Sequence, residues 1–181
     1  MDVSSDIQKK QQLHYENTHD SLTGLCKFPY FKQLASEILE NMPKDQICAA
    51  VMLDLDYFKS INDTYGHDVG DTYLQSFSAV MQSMPEEHFL TARRSGDEFC
   101  MMIFGCCSRE EIISHLDRFY EALQNHPAPL GPNQSKIISA SCGFAQTSDS
   151  FSSIHQLLSQ ADEALYDIKR HTKGRYGEYS K

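Results

Sequence analysis

The stretch Ile47-Cys48-Ala49-Ala50-Val51-Met52-Leu53-Asp54-Leu55-Asp56 decides the fold. Its apolar residues run without a break from Ile47 to Leu53, then meet carboxylates. A short continuous apolar run of this kind reads as a strand buried on both faces. Upstream, Phe28, Phe31, Leu34, Ala35, Ile38, Leu39 and Met42 recur at helical spacing, and Pro43 closes that helix. Downstream, Tyr73, Phe77, Val80, Met81 and Met84 mark a second amphipathic helix that stops at Pro85. Phe89 to Arg93 and Phe99 to Phe104 are strand-like, and the turn dipeptide Ser95-Gly96 between them predicts a hairpin. A third helix carries Ile112, Ile113, Leu116, Phe119, Tyr120 and Leu123. Pro127, Pro129, Gly131 and Pro132 predict a loop. Ile137 to Ala145 predicts a strand with Ile138, Ala140, Cys142 and Phe144 on one face. A last helix carries Ile154, Leu157, Leu158, Ala161, Ala164, Leu165 and Ile168.

From Ile47 onward the order is therefore β-α-β-β-α-β followed by a helix. That order matches the ferredoxin-like split motif, an α/β (α+β) sandwich with an antiparallel sheet flanked by helices. The order has a geometric consequence. The end of the first strand and the hairpin turn share one rim of the sheet, so Asp54 faces Asp97 and Glu98 across neighbouring strands.

At 181 residues the chain suffices for one domain with a substantial core. We expect that domain over residues 20–178. Residues 1–19 read as a polar linker or the end of a signalling helix, with Lys9, Lys10, Gln11 and Gln12 in a helix-compatible stretch. A net charge of −9 argues against a nucleic-acid partner, which calls for a basic face. It is compatible with a nucleotide substrate, because metal ions neutralise phosphate where carboxylates cluster. Cys26, Cys48, Cys100, Cys106, Cys107 and Cys142 include no CxxC pair, and several lie in apolar runs. A reduced, cytoplasmic thiol set follows. Cys106 and Cys107 read as adjacent loop thiols. No signal peptide and no membrane-spanning run is evident.

Hard oxygen ligands suit Mg²⁺, commonly held by one or two carboxylates plus substrate phosphates. A lone Asp-x-Asp at a strand end is more often solvated than functional. Asp54 at a buried strand end, joined by Asp97-Glu98 at a hairpin, favours a metal and phosphoryl transfer. In Tyr57-Phe58-Lys59-Ser60-Ile61-Asn62-Asp63, one helical turn after the strand requires Tyr57, Phe58 and Ile61 as core. The free backbone N–H groups of such a turn suit phosphate oxygens. Lys59 alone reads as an exposed lysine or a phosphate partner. Gly66 to Asp71 reads as a loop feeding a helix. Asp71 then has two readings: a helix N-terminal residue favoured by the dipole, or an acceptor for the guanine edge that Asn62 also reads.

Four motifs in order resemble one family. Asp54 to Asp71 is similar to the nucleotide-binding stretch of GGDEF domains, the diguanylate cyclases. Arg94-Ser95-Gly96-Asp97-Glu98-Phe99 resembles their namesake motif, Asp20-Ser21-Leu22-Thr23-Gly24-Leu25 their entry motif, and Ala161 to Lys169 their final helix. The resemblance covers about residues 19–176. It implies a fold similar to the adenylyl cyclase core and the polymerase palm. It implies condensation of two GTP into cyclic di-GMP with release of pyrophosphate. The implied metal, Mg²⁺ or Mn²⁺, falls to Asp54, the Leu55 carbonyl and Asp97. Asp97, Glu98 and Lys59 form the implied catalytic set, with Glu98 supporting the metal or the 3′-hydroxyl. Asn62 and Asp71 resemble the guanine-reading pair. The backbone at Tyr57 and Phe58, with Lys59, holds the terminal phosphates, and Lys169 and Lys173 add positive charge there. Gly96 lets the nucleotide approach where a side chain would crowd it. The product needs two GTP, so a homodimer is implied, and an upstream sensory domain is expected.

Three departures from the pattern stand out. Ser95 takes the place of the motif's first glycine, which matters if that position needs φ > 0. Thr172 stands at the glycine of a Lys-x-x-Gly turn, and Lys173, which lacks a bidentate fork, at an arginine. Glu86 and Phe89 stand where the family's product-inhibition Arg-x-x-Asp aligns, so that feedback is expected to be absent. The alternative from another class is a degenerate, non-catalytic GTP-binding or interaction module.

Overall fold

The apolar run forms a central strand with partners on both edges. The computed structural model describes residues 3–148 and 152–180. The elements are α1 (Val3–Thr18), β1 (Cys26–Lys27), α2 (Phe28–Glu40), β2 (Ile47–Leu55), α3 (Phe58–Tyr65), α4 (His67–Gln82), β3 (Phe89–Ser95) and β4 (Glu98–Cys106). They continue as α5 (Arg109–Asn125), β5 (Ala128–Gly131), β6 (Gln134–Lys136), β7 (Ala140–Gln146), α6 (Ile154–His171) and β8 (Tyr176–Glu178). The main sheet has the order β1-β3-β4-β2-β7-β8. β2 pairs antiparallel with β4 and β7, and β3 pairs antiparallel with β4. This is the expected split β-α-β-β-α-β core, extended by short parallel edge strands β1 and β8.

Alternation along β2 explains the layers, since successive side chains point to opposite faces. Ala49, Val51, Leu53 and Leu55 pack with Phe77 of α4 and Leu116 and Phe119 of α5. Cys48, Ala50 and Met52 pack with Phe31 and Ala35 of α2 and Leu157 and Ala161 of α6. A strand buried on both faces must be apolar throughout, which is what its sequence shows. The rings of Phe77 and Phe99 meet edge-to-face at 4.8 Å in the first of these cores.

Four readings need correction. The proline-rich segment is a second, two-stranded sheet, β5 with β6, rather than a loop. Ala128 and Leu130 alternate inward into the α4–α5 core while Pro129 faces out, and a small edge sheet tolerates the missing proline N–H. β7 begins at Ala140, not Ile137, because β2 ends opposite Ala140 and Ile137 is exposed. The segment Gly66–Asp71 is not a loop, for α4 starts at His67. Cys106 is not a loop thiol but the buried last residue of β4; Cys107 beside it is exposed.

Most of the stretch read as a linker is helical, as α1, with Met1 and Asp2 lying outside the described residues. The helix is exposed along its length apart from buried Thr18 and half-buried Ser5, and His19 bridges to Cys26. Among the described residues no helix is long and apolar enough to cross a membrane.

Candidate functional site

The site lies where β2 ends and the β3–β4 hairpin turns. Asp54 is in register with Glu98, and the Leu55 N–H donates to the Asp97 carbonyl at 3.2 Å. The three carboxylate residues therefore meet at one rim, as the strand order requires. Asp54 is 9% exposed. Burial pushes its carboxyl up. A hydrogen bond from Lys169 opposes this, and Asp97 and Glu98 add to it. Lys169 Nζ lies 2.9 Å from Asp54 Oδ2. One ammonium thus faces a group of three carboxylates that is short of positive charge, and its oxygen donors fit a hard divalent cation.

Asp56, two residues on, has a different task. It is 4% exposed and accepts 2.7 Å hydrogen bonds from the Ser139 and Ser141 hydroxyls. The Ser141 hydroxyl in turn accepts from the Gly174 N–H at 3.1 Å. Asp56 is thus a structural lock between the end of β2, the start of β7 and the turn after α6.

The chain then enters α3 through Tyr57, which has φ +59°. Tyr57 is the only non-glycine with positive φ among the described residues. It is 59% exposed, so it is not core as expected; Ile61 is buried, and Phe58 is half-buried against the core. Left-handed Tyr57 turns its side chain outward, and Lys173 Nζ sits 4.5 Å above its ring. No side chain caps α3, and its first helical bond runs from the Ile61 N–H to the carbonyl of Tyr57, the N-cap, which leaves the amides of Phe58, Lys59 and Ser60 without intrahelical partners. Lys59 is exposed on that first turn.

Asn62 and Asp71 come from adjoining helices. Gly70, which precedes Asp71 on α4, lies so close to Asn62 that a Cβ there would overlap the carboxamide. Asp71 is exposed on the second turn of α4, beyond Gly66, the residue at the cap position. It does not cap the helix, which removes that reading. Gly70 has no counterpart in the expected site residues; an intrahelical glycine that costs helix propensity is the signal that points to it.

The hairpin is braced from two sides. Arg93 Nη1 lies 3.2 Å from Asp20, and its Nε donates to the Gly96 carbonyl. Asp20 also accepts from the Thr23 N–H and hydroxyl at 2.9 and 2.7 Å. Burial raises the Asp20 carboxyl, but the Thr23 hydrogen bonds and Arg93 outweigh it and hold it below its ordinary value. Arg94 pairs with Asp162 of α6 at 3.2 Å. The entry motif and the final-helix motif therefore meet at the hairpin, a contact that one-dimensional spacing does not reveal.

Two further points revise the expected departures. Ser95 keeps negative φ, so a glycine is not required there, and its hydroxyl donates to Glu98 at 3.1 Å. Gly96 has φ +51° and open space where a Cβ would stand. Its glycine is explained by backbone conformation, not by crowding within the chain. The turn after α6 also differs. Its positive-φ glycine is Gly174, at +76°, followed by Arg175, two residues beyond Thr172. Thr172 is the C-cap in extended conformation, so the glycine is displaced along the chain rather than lost. Phe89 is buried edge-on against His115, and Glu86 is exposed.

Comparisons with known proteins point to one family and one fold. DgcE of Escherichia coli K12 is 30% identical over 179 residues, covering 98% of this chain and 16% of that protein. Diguanylate cyclase TpbB of Pseudomonas aeruginosa is 31% identical over 164 residues, covering 90% of this chain and 37% of that protein. The chain thus spans less than half the length of these relatives. The GGDEF domain of TpbB superposes with a TM-score of 0.83 at 29% identity, covering 90% of this chain and 94% of that one. The coiled coil and GGDEF domain of Caulobacter crescentus DgcB, solved with c-di-GMP, gives a TM-score of 0.83 at 25% identity over 97% and 93% of the two chains. A family model described as "Diguanylate cyclase, GGDEF domain" matches residues 17–175, and the chain belongs to that family.

Proposed function

We propose that the chain is the catalytic domain of a diguanylate cyclase that condenses two GTP into cyclic di-GMP and releases two pyrophosphates. The observation that carries this is the meeting of Asp54, Asp97 and Glu98 beside the uncapped N-terminus of α3. Asp54 and Asp97, with the Leu55 carbonyl, would hold Mg²⁺ or Mn²⁺. The cation supplies positive charge to the reacting phosphate and makes the 3′-hydroxyl more acidic. With a cation held there, the Lys169 ammonium, 2.9 Å from Asp54 Oδ2, would be free to pair with phosphate oxygens instead. The amides of Tyr57 and Phe58, with Lys59 and Lys173, hold the terminal phosphates. Asn62 and Asp71 hydrogen-bond the guanine edge.

One site cannot finish the product. Each 3′-oxygen must attack the α-phosphorus of the other nucleotide, forming one P–O bond while the bond to pyrophosphate breaks. The hydroxyl proton passes to Glu98, which is half-buried and in reach of solvent. Two copies therefore face each other with both nucleotides between them, and catalysis rests on positioning and charge. Exposed Val3, Ile7 and Leu13 on α1 support association of copies through that helix.

The test is incubation with GTP and Mg²⁺ or Mn²⁺, with separation of cyclic di-GMP and pyrophosphate. Turnover should rise more steeply than linearly with protein concentration, and Asp97→Ala should abolish it. GTP binding without turnover at high protein concentration would instead identify a non-catalytic GTP-binding module.

A further inference from the structure

At the end of the sheet away from the carboxylates lies a cluster that this chemistry does not use. β4 separates the two, nine residues from Glu98 to Cys106, roughly 26 Å at ~3.3 Å per residue. His88 precedes β3, Cys106 ends β4, and His115 lies on the inner face of α5. Donor atoms from the three residues all lie within 4.8 Å of one another. We propose that His88, Cys106 and His115 form a second metal site, one that takes Zn²⁺.

Three observations carry this. The His88 Nδ1 lies 2.9 Å from the Phe104 carbonyl. A carbonyl only accepts, so Nδ1 carries the proton and Nε2 keeps its lone pair. A backbone carbonyl on the far nitrogen is how metal-bound histidines are oriented. His115 is 9% exposed, and its Nδ1 is buried with no hydrogen-bond partner. Cys106 is fully buried, and among the described residues its thiol makes one hydrogen bond, a long one of 3.7 Å to the Phe104 carbonyl. A buried nitrogen without a partner and a weakly tethered thiol are both satisfied by one cation.

The donor set selects the metal. Thiolate and imidazole suit Zn²⁺, whereas Mg²⁺ prefers the oxygen cluster at the other end. Tetrahedral Zn²⁺, with bonds of about 2.0–2.3 Å, places its donors roughly 3.3–3.6 Å apart, so the three side chains close by a small rotation. A water completes the set on the side of His88, which is half-buried and gives entry. Glu111, one turn before His115, adds negative charge nearby; it is itself tied to the Cys107 N–H at 2.8 Å. A cation here would fasten β3, β4 and α5 together.

The experiment is a Co²⁺ titration of the reduced, chelator-stripped 181-residue chain. The expected result is a near-ultraviolet thiolate-to-cobalt band that saturates at one equivalent and is bleached by Zn²⁺. Cys106→Ser should remove the band, and His88→Gln and His115→Gln should each weaken Zn²⁺ by more than the roughly 10- to 100-fold typical of losing an outer-shell partner. Cys107→Ser should change nothing. Circular dichroism checks that each variant folds, and half-buried His88 supplies the variant least able to disturb the core. Absence of the band in the unaltered chain, or its survival in Cys106→Ser, overturns the proposal.

Discussion

Gly70→Ala separates the nucleotide site from the fold. Gly70 is buried on α4, and a Cβ there would overlap the Oδ1 of Asn62. The atom in the way is the far end of a flexible side chain, so the carboxamide swings aside and the backbone stays. Alanine is the better helix former by about 0.8–1 kcal/mol, which offsets much of the cost of moving Asn62. Stability should therefore change by less than about 1 kcal/mol. The guanine edge loses one or two hydrogen bonds, each contributing ~0.5–1.5 kcal/mol, so GTP affinity should fall by about 2- to 150-fold. Calorimetric GTP titration of Gly70→Ala beside Asn62→Ala, with urea unfolding of both, measures the two effects. The reasoning fails if Gly70→Ala binds GTP as the unaltered chain does while Asn62→Ala does not. It fails equally if the variant loses stability in step with affinity, because then the collision is with the fold.

Other expectations follow from the same contacts. Lys169→Met removes the ammonium that competes for Asp54, a partly exposed pair contributing ~1 kcal/mol, so divalent-cation affinity without nucleotide should rise about fivefold while GTP affinity falls, both read by titration. Asp20→Asn should destabilise by about 1–2 kcal/mol at neutral pH. The folded Asp20 carboxyl titrates below the ordinary 3.8, so its contribution is present above that value and is lost as pH falls through the folded pKa. Urea unfolding curves of the two proteins should therefore converge in acid. Gly96→Ala should cost about 1–2 kcal/mol of stability for a non-glycine at φ +51°, measured by thermal unfolding; a much larger loss would refute the open space around its Cβ.

The core was legible because β2 is buried on both faces and its sequence is therefore apolar at every position. The same order of elements places Asp54 opposite Asp97 and Glu98 from the sequence alone. Contacts between distant segments were not legible. Nothing in the spacing of Asp20, Arg93, Arg94 and Asp162 shows that they pair, because the pairing depends on where α6 and the entry segment settle on the sheet. The prolines at 127 and 129 read as a loop because their missing N–H groups forbid a central strand, but they do not forbid a small edge sheet. One helical turn directly after β2 would place Tyr57 in the core. Its backbone is left-handed, and a one-residue change of hand reverses where the side chain points.

Asp54 and Asp56 look alike in a screen for lost activity, since replacing either should silence the domain. They would do so for unrelated reasons. Asp54 already strains against burial and two like charges, so its amide variant should fold at least as firmly as the parent. Asp56 is the hub on which two serine hydroxyls and, through one of them, a glycine amide converge, so its loss should slacken two strand ends and a turn at once. A genetic map of this domain drawn from phenotype alone would mark both as catalytic. Only a melting curve beside each phenotype tells the reagent from the rivet.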